Sequence, residues 1–456
     1  MTTDSEQPPR EGTPPSPAAP DPTPTTPGTR PESANQSTGG AADGSGGGSA
    51  GTGEDGATSA GYGAVFAVRE FRAMFAAHVL SMLGTVVSEV ALAVLVYRET
   101  DSAVLTALVF ALTVLPFALS GLLLSGIADR FPSRQVLVGC DLLSAVCIAA
   151  MIVPGMPLAA LFLLRVVTSM IATLFTGTRA ASLGDILTGD LFVLGRSLIR
   201  IVSQGSQIVG FGLAGLIVAW LSPRQTLLVT VCTFLCSALL LRLGTRSRPA
   251  RSSRKAALMR QSLAATGEIM GHPRIRALML MWWVPPMFFG VAEGVAVPFA
   301  ADAGAGAVGY GVFLAAMPAG TVASEVLAGT LLDARARDRI AIPLAALSLL
   351  PMAVFCVNPS LPLSVALLVL TGLCAAYALG MDRWFVHVVP PELRGSAMTL
   401  MGAGLMTLQG VGMAAGGAVA EAVPPYAVIC GAGLIGTASV LAVLRSVRDT
   451  GVPTPA

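Results

Sequence analysis

Charge is what this sequence has least of. Asp, Glu, Lys and Arg make up 12% of 456 residues, about half the share of an average soluble domain. Hydrophobic residues make up 54%, and the mean hydropathy is +0.73. So few charges cannot cover so much apolar surface in water, which excludes an ordinary soluble enzyme. Lysine is nearly missing, Lys255 being the only one. A nucleic-acid-binding face needs clustered basic residues on a soluble domain, and none is visible. There is no CxxC pair and no His/Cys spacing suited to zinc. The seven cysteines all lie in apolar runs and read as small packing residues. No GxxxxGK[ST] loop occurs, so no nucleotide hydrolysis is expected. Neither a cofactor nor a metal is called for.

Residues 1–63 lack Val, Ile, Leu, Phe and Trp altogether, and hold 8 acidic but only 2 basic side chains. Such a segment cannot bury enough apolar area to offset its ordering entropy, so a disordered tail is expected. It has no basic stretch followed by an apolar one, and so does not read as a signal peptide.

From Ala64 onward the chain is a series of apolar runs, each long enough for a helix to cross a bilayer. They fall at 73–97, 102–126, 135–153, 157–178, 197–220, 224–243, 276–300, 309–332, 340–357, 361–381, 395–420 and 424–445. The runs are continuously apolar rather than alternating, which selects helices over a barrel. The expected fold is therefore an all-α membrane protein of twelve transmembrane helices, arranged as two six-helix bundles. These are residues 64–243 and 276–445, joined by a basic central loop at 244–275 and followed by a C-tail at 446–456. Arg and Lys fix the orientation. With the N-terminus inside, 25 basic residues face the cytoplasm, and only Arg98 and Arg224 face outward. Both termini are expected in the cytoplasm, and the lipid bilayer is the first partner.

The halves repeat at an ungapped offset of 204 residues. Arg72 falls on Arg276, Glu89 on Glu293, Asp129 on Asp333 and Arg179 on Arg383. Duplicated six-helix halves are a recurring plan of secondary transporters, in which the substrate path runs between the halves.

The turn after the second run reads Gly126-Ile127-Ala128-Asp129-Arg130-Phe131-Pro132-Ser133-Arg134. It resembles the cytoplasmic loop signature of the major facilitator superfamily, with Asp129, Arg130 and Arg134 matching. The second half repeats it as Gly329-x-x-x-Asp333. Segments such as Arg69-Glu70-Phe71-Arg72, Gly177-Thr178-Arg179-Ala180 and Pro390-Pro391-Glu392-Leu393-Arg394-Gly395 resemble the drug:proton antiporters related to macrolide and siderophore exporters. Gly210-Phe211-Gly212-Leu213-Ala214-Gly215 is similar to the exporter motif of the fifth helix, with Phe211 in place of its proline. The resemblance implies a plasma-membrane antiporter, driven by a proton gradient, that exports a small amphipathic compound. An importer of the same fold and a non-transporting membrane sensor stay open. An intramembrane enzyme would need a His/Asp or metal constellation inside the spans, and none appears.

Charges inside apolar spans are costly unless paired or facing a wet cavity. Glu89, Asp141, Arg165, Glu293 and Glu325 are the candidates for proton coupling or substrate contact, set against static ion pairs or snorkelling side chains. Glu89 and Arg165 each lie about eight residues from the outer end of their spans, so both sit roughly 12 Å deep. That coincidence predicts a pair. Asp129, Arg130, Arg134 and Asp333 form the candidate cytoplasmic latch, or else plain solvated turns. Trp282, Trp283 and Phe288 cluster beside Pro285-Pro286, and are read either as an aromatic cavity wall or as packing toward lipid.

Overall fold

The computed structural model of the chain describes residues 62–117, 120, 130–248, 266–391 and 393–449. Among these residues there is no strand. A short helix, Tyr62–Ala67, leads into the first half, whose helices are α1 (Arg69–Thr100), α2 (Ala103–Val114), α3 (Ser133–Met151), α4 (Leu158–Ile186), α5 (Gly189–Trp220) and α6 (Pro223–Gly244). The second half begins with α7 (Pro273–Gly294, continued by Ala296–Asp302) and α8 (Gly306–Leu331). Next come α9 (Ala334–Leu347, continued by Leu350–Ala353 and a 3-10 turn at Val354–Val357) and α10 (Leu361–Cys374 and Tyr377–Val388). The last two are α11 (Arg394–Ala420) and α12 (Pro425–Asp449). Eleven of these stretches are long and apolar enough to cross a membrane, and α2 is the shorter apolar twelfth. Most of the expected tail, Asp129 and the central-loop residues 249–265 lie outside the described residues.

Local chemistry sets the ends. Asp101, at a positive φ of 52°, closes α1 by giving its N–H to Tyr97 O, and Ser102 at once caps α2 by accepting from Leu105 N. Ser222 and Gln225 form a reciprocal capping box at α6, with Pro223 supplying the preset φ of the first turn. Two helices run beyond their apolar stretches. α4 continues from 178 to Ile186, and α5 begins at Gly189 rather than 197. Apolarity determines how much of a helix lies in lipid, not where its backbone bonding stops.

α1 and α7 are the centres of their halves. Buried residues make up 72% and 61% of their apolar windows, against 33% for α4, α5 and α6. These two helices, one of the pairs related by the repeat, are the most enclosed of the eleven long spans. Outward-facing leucines such as Leu163, Leu243 and Leu331 are 65%, 76% and 74% exposed, as a lipid-facing surface requires.

The halves meet from the middle of the bundle toward the end predicted to face outside. A Cβ on Gly215 of α5 would lie 2.7 Å from Ala307 O and 2.9 Å from Gly311 Cα of α8, so only glycine allows this approach. Gly417 of α11 backs in the same way onto Ala103 and Ala107 of α2. Just past α11, the Glu421 carboxylate accepts from Ser102 Oγ at 2.6 Å and from Val104 N at 3.0 Å.

Candidate functional site

Three helices of the first half bring two deeply buried opposite charges together. Glu89 of α1 is 7% exposed and Arg165 of α4 is 3% exposed. Arg165 Nη2 lies 3.6 Å from Glu89 Oε1. Thr113 of α2 stands between them. Its hydroxyl donates to Glu89 Oε1 at 2.8 Å and accepts from Arg165 Nη2. The pair is thus a relay of carboxylate, hydroxyl and guanidinium rather than a two-pronged salt bridge. Ser169 Oγ donates to Thr113 O at 2.5 Å and ties α4 to α2 at the same level. Arg165 Nε is buried without a hydrogen-bond partner, so one donor of the guanidinium is unused.

Asp141 of α3 is 1% exposed. Ser81 of α1 donates to its Oδ1 at 3.1 Å, and Ser237 of α6 lies 2.5 Å from its Oδ2. Ser237 Oγ also lies 2.9 Å from Ala77 O, and it has one hydrogen for two acceptors. A cavity of about 230 Å³ has Glu89, Thr113, Asp141 and Arg165 in its walls. In the second half, Glu293 of α7 accepts from Gln409 Nε2 of α11 at 3.2 Å. Glu293 borders a smaller cavity, of about 100 Å³, with Phe211, Phe289, Phe313 and Leu368. Gln207 of α5 lines both cavities, and Glu293 lies within electrostatic reach of Glu89. The repeat-related carboxylates therefore face a shared boundary, each bonded to a neutral polar side chain of its own half. Among the described residues no group of three His, Cys, Asp or Glu side chains suits a metal ion.

Two stretches of the chain, residues 74–299 and 287–456, match the sequence model of the Major Facilitator Superfamily. The chain belongs to the major facilitator superfamily. Among curated proteins, none matches it by sequence. Solved structures share the superfamily fold at low identity. A POT family transporter, solved in complex with a thioalcohol-conjugated peptide and again with 5-aminolevulinic acid, is 10% identical with a TM-score of 0.65, the match covering 84% of this chain and 97% of the other. A bacterial homologue of the human lysosomal transporter Spinster, in an inward-facing and occupied conformation, is 16% identical with a TM-score of 0.57, over 83% and 94%. As a member of this superfamily the chain is a transporter rather than an enzyme.

The other sequence candidates land as follows in the superfamily fold. Asp333 accepts from Ala336 N at 2.7 Å and so caps its own helix, α9. Arg130 is exposed. Arg134 lines a small recess with Glu70, Asp185 and Arg248, all from the first half or its end. There Arg248 grips both oxygens of Glu70 at 2.6 and 2.9 Å. Asp129 lies outside the described residues. Glu325 of α8 is partly buried and lies near Asp382 of α10. Trp283 donates to Met401 O at 3.0 Å and packs against Gly404, so it fastens α7 to α11. Phe288 lies against Gly436 of α12, and Trp282 Nε1 is buried without a partner. The aromatic residues in the smaller cavity are Phe211, Phe289 and Phe313 instead.

Thr113, Ser81, Ser237, Gln207 and Gln409 carry the site's hydrogen bonds or join its cavities, yet sequence reasoning missed them all. A neutral hydroxyl in an apolar helix ordinarily bonds a carbonyl one turn back. Thr113 keeps that option too, at 3.2 Å from Val109 O, so its type and position give no signal.

Proposed function

We propose that the protein is a proton-coupled secondary transporter of the plasma membrane that exports a small amphipathic compound by alternating access. The observation that carries this reading is the Glu89–Thr113–Arg165 relay, buried on three helices and facing a cavity. Charges held in apolar spans are costly and mark ion or substrate pathways. A proton on Glu89 cancels the charge that compensates Arg165 and loosens the relay. A cargo group that donates to the Glu89 carboxylate competes with that proton, and this competition is the linkage an exchanger needs. The apolar wall of Phe211, Phe289 and Phe313 beside Glu293 and Gln409 suits a molecule with one greasy and one polar face. Closure at the Ser102–Glu421 end supports the inward-open side of the cycle, with both termini in the cytoplasm.

A second reading has its own observation. The unused Arg165 Nε donor is placed to take an anionic cargo group. Such a cargo would load together with the proton on Glu89 rather than against it, which gives symport and import. Purified full-length protein in liposomes, under an imposed pH gradient and with a panel of amphipathic compounds, separates the two. Cargo-evoked proton movement opposite to cargo is expected. Proton movement in the same direction selects symport. No pH-dependent flux of any panel member, with an intact fold, rejects the proposal.

A further inference from the structure

A second cavity of the first half is lined by three arginines and, among the described residues, by no carboxylate. It measures about 450 Å³ and is bordered by Met74 of α1, Arg179 of α4, and Arg196, Arg200, Ser203 and Gln204 of α5. It lies where α4 runs past its apolar segment and α5 enters its own, near the predicted cytoplasmic end. Arg179 is only 6% exposed, and its Nε and Nη1 are buried with no hydrogen-bond partner. A guanidinium never discharges at physiological pH, so this is a permanent cation to which no described residue supplies a counter-charge. Arg196 and Arg200 sit on the open side of the same cavity. On the neighbouring side, His78 of α1 is 1% exposed and shares a 3.1 Å hydrogen bond with Ser203 Oγ. Asp382 of α10 interacts with Arg200 across the boundary between halves.

We infer that Arg179, Arg196 and Arg200 form a binding site for a small oxyanion, a phosphate or carboxylate group, entered from the predicted cytoplasmic end. Planar guanidinium forks match the oxygen spacing of these groups and bind them by charge-assisted hydrogen bonds. The buried fork of Arg179 supplies unused donors, while the two exposed arginines attract and bracket the anion. Gln204 adds a neutral amide donor at the wall. The site is separate from the Glu89–Thr113–Arg165 relay, and its occupation does not depend on the direction of transport. The group belongs either to a soluble anion or to the headgroup of an anionic lipid.

The test is equilibrium binding of radiolabelled inorganic phosphate to the purified full-length protein in detergent. Saturable binding, displaced by citrate, is expected. Arg179→Gln should weaken it at least about tenfold, as loss of a charge-assisted contact implies. Arg196→Gln and Arg200→Gln should weaken it less, and Arg224→Gln at the opposite end not at all. Arg179→Lys keeps the charge but loses the fork, and should fall between wild type and Arg179→Gln. Nanodiscs with and without phosphatidate distinguish the sources. Phosphate binding blocked by phosphatidate assigns the site to a lipid headgroup, and binding indifferent to it assigns a soluble anion. Melting temperature gives a second readout. Arg179→Met should raise it in the absence of anion, because an uncompensated buried charge is removed. Absence of saturable binding of phosphate, citrate and dihexanoyl phosphatidate to wild type would overturn the inference. So would undiminished binding in Arg179→Gln, or a lower melting temperature in Arg179→Met with binding retained.

Discussion

Glu421, the residue after α11, caps α2 in the other half. Its Oε1 takes both Ser102 Oγ at 2.6 Å and Val104 N at 3.0 Å. The residue thus supplies the negative charge that a helix N-terminus favours, but from the opposite side of the bundle's dividing line. Small residues such as Gly215, Gly311, Ala107 and Gly417 let the helices approach around it, and this contact adds a charged hydrogen bond between the two halves.

Glu421→Gln should therefore open the Ser102 end. Spin labels placed on the outer ends of α2 and α11 are expected to separate in a larger fraction of molecules, by about fivefold, the lower range of couplings between conformational states. pH should do the same. The hydrogen bond from Ser102 and those from the α2 backbone hold the Glu421 carboxyl below its ordinary range. A lowered carboxylate stabilises the closed state above its unbonded pKa, and that contribution fades as pH falls through the lowered value. Acidifying the Ser102 side should widen the label distance in wild type and leave Glu421→Gln unmoved.

Removing one member of the buried relay should harm the protein more than removing two. Glu89→Gln leaves Arg165 uncompensated, and breaking a buried pair this way costs about 3–5 kcal/mol. The double variant Glu89→Gln with Arg165→Gln is expected to be more stable than the sum of the single losses. Chemical denaturation and pH-dependent flux on all four proteins check this. Additive losses would show that the two side chains do not interact energetically.

Thr113→Val replaces the bridging hydroxyl with a methyl group of the same shape. Glu89 and Arg165 then each lose a partner, at a cost of about 1–3 kcal/mol. The pH response of flux should shift while membrane insertion stays normal. An unchanged pH response would leave Thr113 as a packing residue only.

Asp141 should tolerate Asn better than Ala. Its two oxygens meet the hydroxyls of Ser81 and Ser237, and Ser237 has a second acceptor in Ala77 O. An amide can give a hydrogen to Ser237, whose own hydrogen then goes to Ala77 O, so every group stays bonded. Asp141→Ala instead strands buried hydroxyls beside a new void, costing about 2–4 kcal/mol. Thermal unfolding of the two variants should separate them, and equal losses would count against this bonding scheme.

Gly215→Val should block closure between α5 and α8. Its Cβ would meet backbone atoms of Ala307 and Gly311, at 2.7 and 2.9 Å, which cannot swing aside. Normal insertion with lost flux and an open Ser102 end, measured by cysteine labelling at Arg98→Cys, is the expected outcome.

The sequence alone determined the class of molecule, its repeat and the depth of its buried charges. Hydropathy is summed over neighbours in the chain, so it survives without knowledge of the fold. For the same reason counting residues from the outer ends placed Glu89 and Arg165 at one level, and the structure has them 3.6 Å apart. Tertiary structure decided everything that depends on which face a helix turns. Trp283 and Phe288 turned to α11 and α12, while Phe289 beside them reached the cavity. Thr113 was indistinguishable in sequence from any threonine that bonds its own helix. That Arg179, Arg196 and Arg200 line one cavity was not legible until the packing of α4 against α5 was known. Rotation about a helix axis leaves hydropathy and depth unchanged but selects the neighbour. Packing of the twelve helices against one another fixes that angle.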